Sequence, residues 1–147
     1  MIRLTIYIDP RGKGRPRFGR SRSGHPVAYT DAKTRDYEAA IMERAGDQMV
    51  DNGLELLPAG TAVGVKLDAY FQIPKSWPKA KREAAHHHRQ KPDADNVAKS
   101  FLDAVQDVCW EGGDEAVSYL WVRKFWTEDR PRLEATIFDA AKEPPHE

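Results

Sequence analysis

The sequence predicts one compact mixed α/β domain, α+β-like in layout, with a mixed β-sheet packed against two main helices. Three observations carry this expectation. Apolar residues alternate over 2–8 and again over 63–71, the period of half-buried strands. Two other segments repeat apolar residues at helical spacing. The order strand, loop, helix, strand, loop, helix, strand, strand shows no internal repeat and no boundary within 147 residues, a length that can bury a core without disulfides.

The first strand sets Ile2, Leu4, Ile6 and Ile8 on one face and ends at Asp9-Pro10. Residues 11–28 have no hydrophobic period and are rich in Gly, Arg, Ser and Pro, so a long basic loop or loose hairpin is expected. Thr30 or Asp31 can cap a helix in which Tyr37, Ala40, Ile41, Arg44 and Ala45 recur, fading between Met49 and Gly53. Val63, Val65, Leu67, Ala69 and Phe71 share a face of the next strand, which Pro74 ends. A second basic segment covers 75–91 and holds His86, His87 and His88 in a row. A helix is expected from about Asp93 to Cys109. It sets Val97, Phe101, Ala104, Val105 and Val108 on one side, and Asp95, Lys99, Asp103 and Gln106 on the other. Glu111-Gly112-Gly113-Asp114 reads as a turn, followed by strands near 117–126 and 132–138. The charged tail from Lys142, with Pro144-Pro145, is expected to be frayed.

Mean hydropathy is −0.70, and no stretch is long and apolar enough to span a bilayer or to serve as a signal peptide, so no membrane partner and a cytoplasmic location are expected. Cys109 is the single cysteine. It excludes an intrachain disulfide and a cysteine metal site, and its place at a helix end suits inert core. Net charge is zero but segregated. Residues 1–35 carry nine basic groups against Asp9 and Asp31, and residues 75–91 carry six against Glu83. The rest of the chain is acidic. Such a distribution can put a positive field on one face, and a local field attracts a phosphate backbone. Lys13, Arg15, Arg17, Arg20, Arg22, Lys75, Lys79, Lys81, Arg82 and Lys91 are the candidate DNA contacts.

The chemistry concentrates in Lys91-Pro92-Asp93-Ala94-Asp95-Asn96-Val97-Ala98-Lys99. If the backbone there is extended, Asp93 and Asp95 project to one side and can converge on a divalent cation. Pro92 disfavours the α region for Lys91, so the chain should enter extended. Asp95 also suits a helix cap, and Asp95 with Lys99 also suits a surface ion pair. Asp114 can return a third carboxylate after the Gly-Gly turn. Asp103, one turn beyond Lys99, reads either as a supporting carboxylate or as a solvated one. Carboxylates suit magnesium, and a lysine beside them suits a scissile phosphate.

This cluster, continued by Phe101-Leu102-Asp103-Ala104-Val105, Trp110 and Asp114-Glu115-Ala116-Val117, resembles the RusA family of Holliday junction resolvases, in particular the prophage form. Gly12-Lys13-Gly14-Arg15-Pro16-Arg17, Tyr29-Thr30 and Lys33-Thr34-Arg35-Asp36-Tyr37 look like that family's opening. Ile73-Pro74-Lys75-Ser76-Trp77 looks like its middle. The resemblance covers nearly the whole chain. It implies a homodimeric, magnesium-dependent endodeoxyribonuclease, with manganese able to substitute. Such an enzyme nicks four-way junction DNA at symmetric positions, in recombination and repair. It implies that Asp93, Asp95 and Asp114 hold the metal and that Lys99 takes part in catalysis. The family commonly has two adjacent acids at the later site; here Gly113-Asp114-Glu115 stands there, so Glu115 is an alternative to Asp114.

Gly12-Lys13-Gly14 lacks the spacing of a Walker loop, so no nucleotide cofactor is expected. The three histidines read as a basic DNA contact or a solvated surface before a transition-metal site. Trp110, Trp121, Trp126 and Phe18 are read either as packing residues or as platforms for an exposed base. Two rival functions stand beside the resolvase: a branched-DNA binding protein with a weak nuclease site, and a metal-dependent ribonuclease.

Overall fold

The computed structural model describes residues 1–14 and 17–142, and of Arg17 the backbone alone. Arg15 and the tail from 143 onwards lie outside the described residues. Ten elements follow one another: β1 (Ile2–Ile6), β2 (Arg17–Arg20), β3 (Pro26–Tyr29), α1 (Ala32–Asp51), β4 (Val63–Gln72), α2 (Lys79–Ala84), α3 (Ala94–Val105), a 3-10 turn (Asp114–Ala116), β5 (Val117–Thr127) and β6 (Arg132–Asp139). The main sheet runs β1-β6-β4-β5. β6 is antiparallel to both its neighbours, and β4 and β5 are parallel. This is the mixed sheet and two-helix layer that the alternation and helical spacing predict.

Helices α1 and α3 pack on one face of the sheet and close the core. Ile2, Leu4 and Ile6, then Val63, Val65 and Leu67, then Leu133 and Ile137 supply the sheet side. Tyr37, Ile41, Ala45 and Met49 from α1, and Val97, Phe101, Ala104 and Val105 from α3, supply the helix side. α1 starts where Asp31 accepts a hydrogen bond from the Thr34 amide at 2.7 Å, the cap expected of that residue. The opposite sheet face mixes charged and aromatic side chains, with Phe125 and Phe138 buried on it. There Arg123 makes a bidentate pair with Asp68 at 2.7 and 2.8 Å, and Arg132 lies 3.9 Å over the Tyr70 ring.

One open alternative is settled, and two boundaries differ from the sequence reading. The basic loop carries a two-stranded hairpin, β2 against β3. The second basic segment carries α2, a six-residue helix with no buried residue and so no hydrophobic period to announce it. α3 stops at Val105 rather than near Cys109. Asp107 takes φ 65, and Cys109 and Glu111 then exchange backbone hydrogen bonds with Leu57. Buried Trp110 pins this turn by donating Nε1–H to the Gly113 carbonyl at 2.9 Å. No helix among the described residues is long and apolar enough to cross a membrane.

The outer edge of β5 is covered by residues 86–88. The His88 amide donates to the Lys124 carbonyl, and the Trp126 amide to the His86 carbonyl. An uncovered edge would offer these groups to another chain. His88 is buried and stacks on Phe71 with ring centroids 3.8 Å apart. Burial, with the Lys124 charge adding to it, pushes its pKa down to about 4.

That shift makes a prediction. Between pH 6.5 and about 4 the unfolded chain binds a proton at His88 that the folded chain refuses. Stability is therefore fully present above pH 6.5 and falls as the pH drops, by about 1.4 kcal/mol per unit. Thermal melting from pH 7 to pH 5 should show the fall, and His88→Phe should flatten it. Equal slopes in both proteins would remove His88 as the cause.

Candidate active site

α3 carries three of the four candidate residues: Asp93 caps it, and Asp95 and Lys99 lie on its exposed side. Asp93 holds the N-cap position, and its carbonyl accepts the first helical bonds from the Asn96 and Val97 amides. The helix begins at Ala94, so Asp95 is already in its first turn. The extended pairing of Asp93 and Asp95 is therefore not the geometry, and Asp93 rather than Asp95 stands at the cap. Both side chains are exposed. Lys91 meets the Asp93 carboxylate at 3.0 Å.

Lys99 reaches across to the 3-10 turn. Its Nζ lies 2.5 Å from Asp114 Oδ2 and 3.3 Å from Asp103 Oδ1. Asp114 holds the Lys99 ammonium above its ordinary pKa, and Lys99 holds the Asp114 carboxyl below its own. Near neutral pH the pair is fully ionised. Glu115 folds back to accept from the Gly113 amide at 3.3 Å. Of the two adjacent acids it is thus Asp114 that meets Lys99.

Asp103 joins this pair to the N-terminal segment. Its second oxygen takes Lys13 Nζ at 2.5 Å, and Lys13 also meets Glu38 of α1 at 3.0 Å. Burial works against the Lys13 charge, but its bonds to Asp103 and Glu38 outweigh it and the pKa is raised. Lys13 thus turns inward, as a fastener between α1 and α3. The segment around it is tied by backbone as well. Asn96 donates to the Lys13 carbonyl at 3.1 Å, Ser100 to the Arg11 carbonyl at 2.9 Å, and the Arg11 amide to the Tyr37 hydroxyl at 3.0 Å. Gly12 is required by this approach: a Cβ there would stand 2.5 Å from Asn96 Nδ2 and 2.9 Å from Pro92 Cβ. An open cleft of about 410 Å³ lies between this segment and Lys91, Pro92, Asp93 and Asn96.

The other basic residues singled out in the sequence differ in their surroundings. Arg20 is engaged with the Gly24 carbonyl in the hairpin, and Arg22 is exposed there. Lys75 is exposed, and Lys79 pairs loosely with Glu83 at 3.9 Å. Lys81 lies over the Trp77 ring, and Arg82 is held by Glu128 and the Pro74 carbonyl. Sequence reasoning missed Glu38, Asn96 and Lys124. Lys124 had a signal: it is a charge in the apolar phase of β5, between Val122 and Trp126. Its ammonium donates to the carbonyls of Gln90 (2.7 Å) and Pro92 (2.6 Å), and so props up the strand entering the site.

For a divalent cation the donors fit in kind: Asp93, Asp95 and Asp114 offer hard oxygens, and Asp114 is kept ionised. They are not gathered. Among the described residues no three acidic, histidine or cysteine side chains stand together as a ready ligand set. Lysine ammoniums sit instead against Asp93 and Asp114.

The Lys13–Asp103 pair is part-buried, at 27% and 16% side-chain exposure, whereas Lys79–Glu83 stands at 89% and 67%. A double-mutant cycle with Lys13→Met and Asp103→Leu in denaturant should give a coupling of about 1–2 kcal/mol, against about 0–0.5 kcal/mol for Lys79–Glu83. Equal couplings would mean that Lys13 fastens nothing.

Two comparisons bear on this site. The chain is 28% identical over 145 residues to "Uncharacterized protein YqaN" of Bacillus subtilis (strain 168), covering 92% of this chain and 94% of that one. The family described as Endodeoxyribonuclease RusA matches residues 8–138, from the end of β1 into β6, and so takes in both halves of the Lys99–Asp114 pair. The chain belongs to the RusA family of Holliday-junction-resolving nucleases.

Proposed function

We propose that this chain is a magnesium-dependent, structure-selective endodeoxyribonuclease. It resolves four-way junctions by paired symmetric nicks, as a homodimer, in recombination and repair. The observation that carries this reading is the ionised Lys99–Asp114 pair, fifteen residues apart in sequence and starting four residues after Asp95, in a chain of a DNA-cutting family.

The roles follow from charge. Asp93, Asp95 and Asp114 are the residues that would hold magnesium, with manganese as a substitute. When bound, such an ion neutralises phosphate oxygens and lowers the pKa of water. Lys99 stays protonated through neutral pH, so it can hold a phosphate oxygen and stabilise charge developing on it. Asp103 and Asp114 aim that ammonium from two sides. Asn96 and Ser100 keep the N-terminal segment against α3, which walls one side of the cleft. The exposed cations of the hairpin and of residues 75–91 suit phosphates of the junction arms, and set affinity more than sequence choice. Two equivalent strands of a junction match one site in each subunit of a two-fold dimer.

The first test is cleavage of a labelled four-way junction with magnesium, beside a linear duplex. Native protein should leave paired nicks on the junction alone. Chelation should abolish them, and magnesium or manganese should restore them. Asp95→Asn and Lys99→Met should cut about a hundredfold more slowly while still binding. Binding by native protein without any nick would favour the branched-DNA binding reading. Cleavage of single-stranded RNA with no gain from a junction would favour the ribonuclease.

A second expectation concerns the hairpin. Arg20→Ala with Arg22→Ala should weaken junction binding alike on all sequences and lower the slope of log affinity against log salt by about two. An unchanged slope would free the hairpin from any phosphate role.

A further inference from the structure

A second concavity, of about 530 Å³, opens between α2 and the covered edge of β5. Its chemistry differs from that of the acid site. Trp77, Trp126, His86 and His87 line it with rings, and Lys81 and Arg89 with cations. We propose that this cleft holds an unpaired nucleobase of a DNA strand, with the adjoining phosphates against Lys81 and Arg89. The proposal rests on the reading of the chain as a DNA nuclease and adds to it the place where a strand is held outside the duplex.

Five features support a base as the occupant. The rings are available: Trp77 and Trp126 meet edge to face, with centroids 4.8 Å apart, and each is only half-buried. Half-exposed tryptophans among cations make a stacking platform for single strands, because every base offers a π face. Lys81 Nζ lies 4.0 Å over the Trp77 ring, which keeps a positive charge at the platform itself. The local charge also suits a polyanion. Residues 75–91 hold six basic groups and only Glu83, which pairs with Lys79.

The platform is also rigid. His88 wedges between Phe71 and Trp126, with ring centroids 3.8 and 4.4 Å away. The backbone of residues 86–88 is hydrogen-bonded to β5. Arg82 ties α2 to the Pro74 carbonyl at 2.8 Å. A pre-formed wall loses little entropy on binding.

Position supplies the last argument. Gln90 lines the cleft and lies three residues before Asp93, so the two Cα atoms are at most about 11 Å apart. That is about three base steps of a duplex. The Lys124 ammonium fixes the intervening segment through the Gln90 and Pro92 carbonyls. A base in the cleft would thus belong to a nucleotide within a few steps of a phosphate at the acid site. That is the reach needed where strands part at a crossover.

The test is equilibrium binding, read by tryptophan fluorescence and by anisotropy of a labelled oligomer. The probes are dT8, an abasic eight-phosphate strand of the same charge, and free thymidine monophosphate. Native protein should bind dT8 about tenfold more tightly than the abasic strand. Thymidine monophosphate should bind more weakly than dT8, which would mark a strand and not a free nucleotide as the ligand. Trp77→Ala should lose about tenfold on dT8 and nothing on the abasic strand, and Trp77→Phe should recover most of the loss. Arg89→Ala, at an exposed position, should weaken both strands alike. Equal native affinity for dT8 and the abasic strand, or a Trp77→Ala protein that melts like native and binds dT8 like native, would overturn the proposal. If thymidine monophosphate bound as well as dT8, the cleft would be a nucleotide pocket and the strand reading would fall. Junction nicking by the same native preparation separates the two readings. Nicking with no base dependence sinks the cleft alone; base dependence with no nicking sinks the resolvase alone.

Discussion

The parallel pairing of β4 with β5 is the constraint on which the rest depends. Two neighbouring parallel strands cannot be joined by a hairpin, so the chain must leave one end of the sheet and return to the other. Residues 73–116 make that return, and all four members of the acid and lysine set lie within it. α3 packs its apolar side on the sheet and is left with Asp95 and Lys99 exposed. The chain must then turn back before β5 begins, and Asp114 stands in the last residues of that turn. The meeting of Lys99 and Asp114 is thus a consequence of topology. The buried Trp110, bonded to the Gly113 carbonyl, sets how the turn delivers it.

A second linkage ties the crossover to the N-terminus. Asp103 has two oxygens and gives one to Lys99 and the other to Lys13. Lys13 in turn meets Glu38. Charges alternate along this chain from α1 through the N-terminal segment to α3 and the 3-10 turn. In a partly buried setting, removing any one member leaves a neighbour with less than its share of opposite charge. The Gly12 contact with Asn96 and Pro92 serves the same joint by letting backbone lie against side chain without a Cβ between them. The glycines of the Gly-Lys-Gly run therefore have a packing reason, and the lysine between them has an electrostatic one.

Much of this was legible in the sequence. Strict alternation in β1 and β4 gave the strands, because one face of each is fully buried. Asp31 and the spacing of Tyr37, Ile41 and Ala45 gave α1. The start of α3 near Asp93 was legible; its capping residue and its far end were not, for two reasons. Pro92 and Asp93 moved the cap two residues earlier than Asp95. The contact of Leu57 with Cys109 and Glu111 stopped the helix early, and that contact joins residues more than fifty positions apart. At the site the sequence nominates carboxylates and a lysine, yet which acid meets Lys99 is a tertiary fact. Lys13 shows the reverse error. A basic run argues for phosphate, but charge density along a sequence does not say which cation faces Glu38 and Asp103 and which faces solvent.

The electrostatic arrangement also resolves the puzzle of a DNA enzyme with no net charge. On the proposed reading, acids suited to a metal would repel the phosphate brought to them. The lysines set among them reduce that repulsion: Lys91 at Asp93, Lys99 at Asp114, and Lys13 behind both at Asp103. Further exposed cations lie in the hairpin and in residues 75–91, and the second of these leads directly into Asp93. On the proposed reading, these segments would offer an approaching phosphate backbone positive charge beside the carboxylates. Because most exposed pairs are screened within about 8–10 Å at ordinary ionic strength, only this local order of charges bears on binding, and the total does not.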